Sequence, residues 1–176
     1  MYLCKRIEGE FDLGDQSPLF CYRFFRMIEK QKIEGLVDEF IKGTDLFIVA
    51  VKVNNGNRIL VLADKNEGIT IDECAAIHRH IENGLDRDAE DFELQVSSPG
   101  LDVPFGVIQQ YFKNEGKKVE VIDFEGSKYS GKLKNVTPGG FELETEKKTK
   151  GKTIELKDIS FNFEQIKSTR VILTIK

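Results

Sequence analysis

Cysteine and histidine are scarce in the 176 residues: three cysteines (Cys4, Cys21, Cys74) and two histidines (His78, His80). An odd set of cysteines with no Cys-x-x-Cys offers neither a disulfide framework nor a zinc site, and points to a reduced, cytoplasmic protein. The two histidines stand two apart on a charged stretch and read as solvent-exposed. Long apolar runs are missing too. The longest, such as Leu46 to Val51, are strand-length, far short of the roughly 20 residues of a membrane span. The opening MYLCKRIEGEFDLGDQ turns acidic with no apolar core, which argues against a secretory signal. No P-loop, dinucleotide glycine fingerprint or H-E-x-x-H is present, and no cofactor is implied.

Proline is equally sparse, and two of the four prolines fall in one stretch, LQVSSPGLDVPF (residues 94–105). Here Ser97 and Ser98 stand directly against Pro99-Gly100. A serine nucleophile needs a base within hydrogen-bond reach, and its usual setting is G-x-S-x-G. This run is V-S-S-P-G, and Pro99 lacks the N–H that would serve as an oxyanion donor. Architecture explains the run more simply. Ser98-Pro99-Gly100-Leu101 suits a type II turn, with φ preset at Pro99 and a positive φ at Gly100. Pro99 and Pro104 bias Ser98 and Val103 toward extended backbone. The segment is therefore expected to be a stiff joint and not a catalytic elbow. The carboxylates Asp86, Asp88, Glu90 and Asp91 lack EF-hand spacing and read as a solvated acidic loop.

Upstream of this joint the pattern is legible from Met27. Ile33, Leu36, Val37, Phe40 and Ile41 fall at helical spacing, with Gly43 as the stop. Leu46–Val53 and Arg58–Asp64 flank Asn54-Asn55-Gly56-Asn57, a hairpin signal because Asn-Gly tolerates the positive φ of a type I′ turn. Thr70-Ile71-Asp72-Glu73 forms a capping box, opening a helix with Cys74, Ile77, Ile81 and Leu85 on one face. Residues 91–96 alternate as a half-buried strand. The order is α-β-β-α-β, a helix pair able to cover one face of a three-stranded sheet. Downstream, short alternating runs at 118–123, 129–136, 141–144, 153–156 (extended or followed by 159–163) and 170–175 are separated by glycine-bearing turns. Five strands at this spacing suggest a small barrel. The fold class is thus α+β, in two domains. Residues 27–98 form the first, 99–104 a rigid linker, and 105–176 the second.

A net charge of −4 hides an asymmetry. Residues 1–106 carry 12 Lys and Arg against 20 Asp and Glu, whereas residues 107–176 carry 14 against 10. The basic half can approach a polyanion and the acidic half is repelled by one.

The helix–hairpin–helix–strand order, the segment GITIDECAAIHRHIENGLD, the strand FELQVSSPGLDVPF and the all-β region after it resemble the bacterial ribosome maturation factor RimP family. The resemblance runs from Met27 to Lys176. It is carried most specifically by Ser97, Ser98, Pro99, Gly100, Leu101, Asp102 and Pro104. Val103 departs from the arginine usual in that family, and Phe105 replaces a leucine. Residues 1–26 precede the family's usual start and read as an extension, with Met27 favoured as the initiator.

The resemblance implies a KH-like N-terminal domain joined to an SH3- or Sm-like barrel. It also implies a monomeric cytoplasmic protein, not an enzyme, that binds the immature small ribosomal subunit and helps it mature. A KH module clamps nucleotides with a G-x-x-G loop, and none lies between the helices expected here. Ribosomal RNA backbone is instead expected at the second domain, through Lys117, Lys118, Lys128, Lys132 and Lys134 and the hairpin lysines Lys147, Lys148, Lys150 and Lys152. Such contacts give salt-dependent affinity with little sequence readout. The acidic domain suits a basic small-subunit protein near the decoding centre. Two rival readings are a general RNA-binding adaptor working away from the ribosome and a hydrolase using Ser97 or Ser98.

Overall fold

The computed structural model describes residues 27–88, 91–148 and 154–172. The expected extension (residues 1–26), Glu90, Lys150 and Lys152 lie outside these residues, as do the side chains of Lys147 and Lys148. The chain runs as α1 (Lys30–Ile41), β1 (Phe47–Asn54), β2 (Arg58–Asp64), α2 (Ile71–Asn83), β3 (Glu93–Ser97), α3 (Ile108–Lys113), β4 (Lys118–Asp123), β5 (Lys128–Thr137), β6 (Gly140–Lys148), β7 (Ile154–Asn162), a 3-10 turn at Phe163–Gln165, and β8 (Ile166–Val171). No helix among the described residues is long and apolar enough to cross a membrane.

The first three strands form one sheet in the order β1-β2-β3, antiparallel between β1 and β2 and parallel between β2 and β3. The period-two pattern decides which face is covered. Ile59, Val61 and Ala63 of β2 and Val51 of β1 point into one core, which Ile33 and Val37 of α1 and Ile77 and Ile81 of α2 close from the helical side. Leu85 and Phe92 complete it. Gly43 follows α1 with φ +84°, the left-handed stop expected of it. In the hairpin the positive φ values fall on Gly56 (76°) and Asn57 (52°), one residue beyond the Asn55-Gly56 pair of the motif. The strands pair up to Asn54 and Arg58, so the left-handed residues are the second and third of a three-residue loop.

The expected capping box at α2 is formed. Glu73 N donates to the Thr70 hydroxyl at 3.2 Å, and the Glu73 carboxylate accepts from Thr70 N at 2.7 Å and Thr70 Oγ1 at 2.9 Å. Lys65 Nζ adds a third donor at 2.6 Å. The Lys65 hydrogen bond first, and the Thr70 backbone and hydroxyl next, hold the Glu73 carboxyl down from 4.5 to about 2. A carboxyl depressed on folding stabilises the fold above its unfolded value and loses that contribution as pH falls through the folded one. Glu73→Gln is therefore expected to remove part of the stability loss seen between pH 4.5 and about 2. Urea midpoints measured across that window check it; identical acid limbs for both proteins would count against the cap.

The remaining strands form a five-stranded antiparallel sheet in the order β7-β6-β5-β4-β8. Its separate core consists of Val119 and Val121 of β4, Leu133 of β5, Phe141 and Leu143 of β6 and Phe161 of β7, with the Tyr111 ring of α3 tilted against Phe141 at 5.2 Å and edge-on to Phe163 at 5.0 Å. Of the two arrangements left open for residues 159–163, the structure has the continuous one: β7 runs unbroken from Ile154 to Asn162. One expectation is corrected here: the last strand begins at Ile166, not at Arg170. The 3-10 turn reverses the chain early, and β8 then pairs with β4 from Asp123 through Val119.

Candidate functional site

The SSPGLD segment leaves the end of β3, where Ser97 sits opposite Leu62 in the parallel ladder. The type II turn expected at Ser98–Leu101 is not the one formed. Gly100 does not take a positive φ; the turn lies two residues on, with Val103 N donating to Gly100 O at 3.2 Å. A Cβ at Gly100 would stand 2.8 Å from Asp102 Oδ1 and 3.3 Å from Val103 Cγ2, so the exposed Asp102 side chain folds back over this position and would have to swing aside for a larger residue.

Beyond the turn the connector is tied to both sheets. Phe105 N donates to Thr169 O of β8 at 2.8 Å, and the Phe105 ring meets Tyr111 edge-on at 4.9 Å. A Cβ on Gly106 would lie 3.4 Å from Val49 O, beside the slip in the β1 ladder between Ile48 and Ala50. Gly106 N and Val107 N then donate to Gln110 Oε1 at 2.7 and 3.3 Å. This side-chain cap starts α3, a helix of six residues that no periodicity in the sequence announces.

The purpose of α3 is visible at its end. Lys113 Nζ reaches both carboxylate oxygens of Asp64, the last residue of β2, at 2.6 Å each. The two side chains are 17% and 9% exposed, which separates this pair from the surface ion pairs of the molecule. Asp64 Oδ1 also accepts from Lys65 N at 2.9 Å. The pair forms one wall of a cleft of about 240 Å³ that Ser98, Pro99, Gly100, Leu101, Val103, Gln110, Asn114 and Lys117 also line.

No histidine lines the cleft at Ser98, and its Asp64 and Lys113 are bonded to each other. The histidines are on α2. His78 Nδ1 lies 3.7 Å from Glu82. His80, expected to be solvent-exposed, is half-buried with its ring 5.3 Å from that of Phe40. The acidic loop after α2 is tied locally. Asp86 Oδ1 accepts from Asp88 N at 2.9 Å, and Arg87 bonds Glu82 at 2.7 Å while lying 4.4 Å over the Phe92 ring.

Sheet register sorts the lysines. Lys118 and Lys132 are cross-strand partners on β4 and β5, and the Lys132 Cε lies 3.9 Å from where a Cβ on Gly116 would be. Lys117, exposed beside them, bonds Asn114 Oδ1 at 3.0 Å. Lys118 and Lys132 thus form a cross-strand basic pair, and Lys117, next to it in sequence, lines the cleft at the connector. Lys128 is exposed at the other end of β5. Lys134 pairs with Glu144 across the β5–β6 ladder, and that carboxylate holds its ammonium above 10.5. Lys147 and Lys148 sit on the backbone of β6 opposite Glu155 and Ile154.

A family model described as the RimP N-terminal domain matches residues 33–102. The ribosome maturation factor RimP of Porphyromonas gingivalis is 39% identical over 124 residues, covering 70% of this chain and 82% of that protein. The RimP of Christiangramia forsetii is 30% identical over 151 residues, 82% of this chain and 98% of that one. The RimP of Flavobacterium psychrophilum is 32% identical over 96 residues, 54% and 62%. The chain belongs to the RimP family of ribosome maturation factors.

Proposed function

We propose that this chain is a non-catalytic assembly factor that binds the immature small ribosomal subunit in the cytoplasm and promotes its maturation. Similarity to the RimP relatives over most of both chains carries this reading. It works by differential affinity: a factor that binds one state of an assembling particle more tightly than another shifts the population toward that state. Two units held by the Asp64–Lys113 pair can present two surfaces in one docking event. Lys117, Lys118 and Lys132 suit the ribosomal RNA backbone, and the acidic N-terminal unit suits a basic small-subunit protein near the decoding centre. The order β7-β6-β5-β4-β8, with β8 returning to β4, supports an SH3/Sm-like reading of the second unit, and the α-β-β-α-β order supports a KH-like reading of the first. A serine hydrolase is disfavoured by a cleft whose Asp64 and Lys113 are committed to each other.

Sedimentation of cell extract tests the proposal. Co-migration with free small subunits, and not with translating ribosomes, is the expected result; a protein that stays at the top of the gradient at low salt sinks it and leaves the adaptor reading. Replacing Lys117, Lys118 and Lys132 together by alanine is expected to weaken binding and flatten its dependence on log salt by about one unit for each phosphate left without its lysine. Replacing Lys134 alone is expected to change the slope little, because its charge is already met by Glu144.

A further inference from the structure

The basic excess of the second half does not extend over its whole surface. Between the β4–β5 turn and the 3-10 turn lies a concavity of about 460 Å³ lined by Asp123, Phe124, Glu125, Tyr129, Ser160, Phe161, Glu164 and Gln165. Three of these are carboxylates, three are aromatic, and none is basic. We propose that this concavity is a recognition site for a lysine or arginine side chain on an extended basic segment of a partner protein.

Its walls are held in place without a ligand. Phe124 N donates to Gln165 O at 3.3 Å and so fastens the β4–β5 turn against the 3-10 turn. The β4–β5 turn is closed by Gly126 N to Asp123 O at 3.2 Å and by Ser127 N to Asp123 Oδ1 at 2.8 Å, with Gly126 at φ +86°. The 3-10 turn is capped by the Asn162 side chain, which accepts from Glu164 N at 3.2 Å. The floor is the Tyr129–Phe161 pair, edge-on at 5.1 Å.

Two features identify the occupant. Phe124 is 68% exposed, a large apolar ring at the rim of a carboxylate-lined hollow. Glu125 and Glu164 have no ion-pair partner among the described residues, whereas Glu120 and Glu144 on the same sheet are paired with Arg170 and Lys134. Ring faces with unpaired carboxylates beside them attract an organic cation, whose stem covers the rings while its charged head meets the carboxylates. No group of acidic, histidine or cysteine side chains among the described residues converges closely enough to hold a metal ion. A nucleic-acid backbone would be repelled.

The inference rests on the assembly-factor reading only for the source of the basic segment. NMR titration of the full chain with a short synthetic Arg-Lys-Gly peptide tests the site directly. Amide shifts are expected at Phe124, Glu125, Ser160 and Gln165, and none with a peptide carrying glutamine in place of arginine and lysine. Phe124→Ala and Glu164→Gln, both at exposed positions, are each expected to weaken peptide binding about 3-fold to 10-fold. Unchanged affinity in both variants, or shifts confined to other surfaces, overturns the site, as does an RNA hairpin that shifts these amides when the peptide does not. Peptide binding by a chain that fails to sediment with small subunits supports the site and overturns the assembly reading; sedimentation without peptide binding does the reverse.

Discussion

Asn57→Ala is expected to destabilise the N-terminal unit by about 3 kcal/mol, the joint cost of unsatisfied buried polar groups and a strained backbone. Asn57 is 2% exposed, yet it is polar and in the left-handed region at φ 52°. Its Oδ1 accepts from Ile28 N at 2.9 Å, its Nδ2 donates to Asp91 O at 3.0 Å, and its own carbonyl accepts from Glu93 N at 3.1 Å. One side chain thus ties the residues before α1, the hairpin turn and the approach to β3. Alanine removes these side-chain bonds, strands a buried N–H, and meets the left-handed penalty that asparagine tolerates better. Asn57→Gly isolates the second effect, because glycine takes that φ freely while leaving the same groups unpaired. It is expected to be less destabilising than alanine by about 1 kcal/mol. Urea unfolding of the two variants decides: equal losses would remove the backbone contribution, and losses under about 0.5 kcal/mol in both, the range of ordinary surface substitutions, would sink the tie itself.

This residue shows where the sequence can be read and where it cannot. The Asn-Gly signal marks the hairpin, because turn chemistry is local. The burial of Asn57 is invisible in the sequence, because its partners lie 29 and 34 residues away. The same division runs through the rest. Helices α1 and α2 are legible from periodicity and the Thr70 capping box, and the downstream strands from alternation between glycines. Helix α3 is too short to display a helical period and is started by a glutamine side chain. At the joint, Pro-Gly reads as a turn of fixed type, but Gly100 takes no positive φ and the closing bond forms at Val103. Along the chain the lysines form one basic set. Pairing across the sheet, which a single sequence does not display, sets Lys134, bonded to Glu144, apart from Lys117, Lys118 and Lys132.

Lys113→Ala is expected to cost about 2–4 kcal/mol, because it strands a carboxylate that is 9% exposed with only a backbone N–H from Lys65 to meet it. The effect differs in kind from loss of an exposed pair such as Lys30–Glu34, at 57% and 41% exposure, which is worth about 0–1 kcal/mol. Lys113→Met keeps the stem packed and removes the charge, and Asp64→Asn removes the charge from the other side. The double variant leaves no buried charge, so its loss is expected to fall below the sum of the single losses by more than about 1 kcal/mol. Being largely shielded from solvent, the pair should also respond little to added salt. Because the pair links β2 of one sheet to the helix that precedes the other, its loss should be felt at the connector before either core. Hydrogen exchange of the Phe105 amide, which is bonded to Thr169 O, should quicken in Lys113→Met while the amides of Val61 and Val121 keep their protection. If Phe105 exchange is unchanged, or all three quicken together, the pair does not act as a clasp between two separately stable units, and the joint presentation of two docking surfaces loses its physical basis.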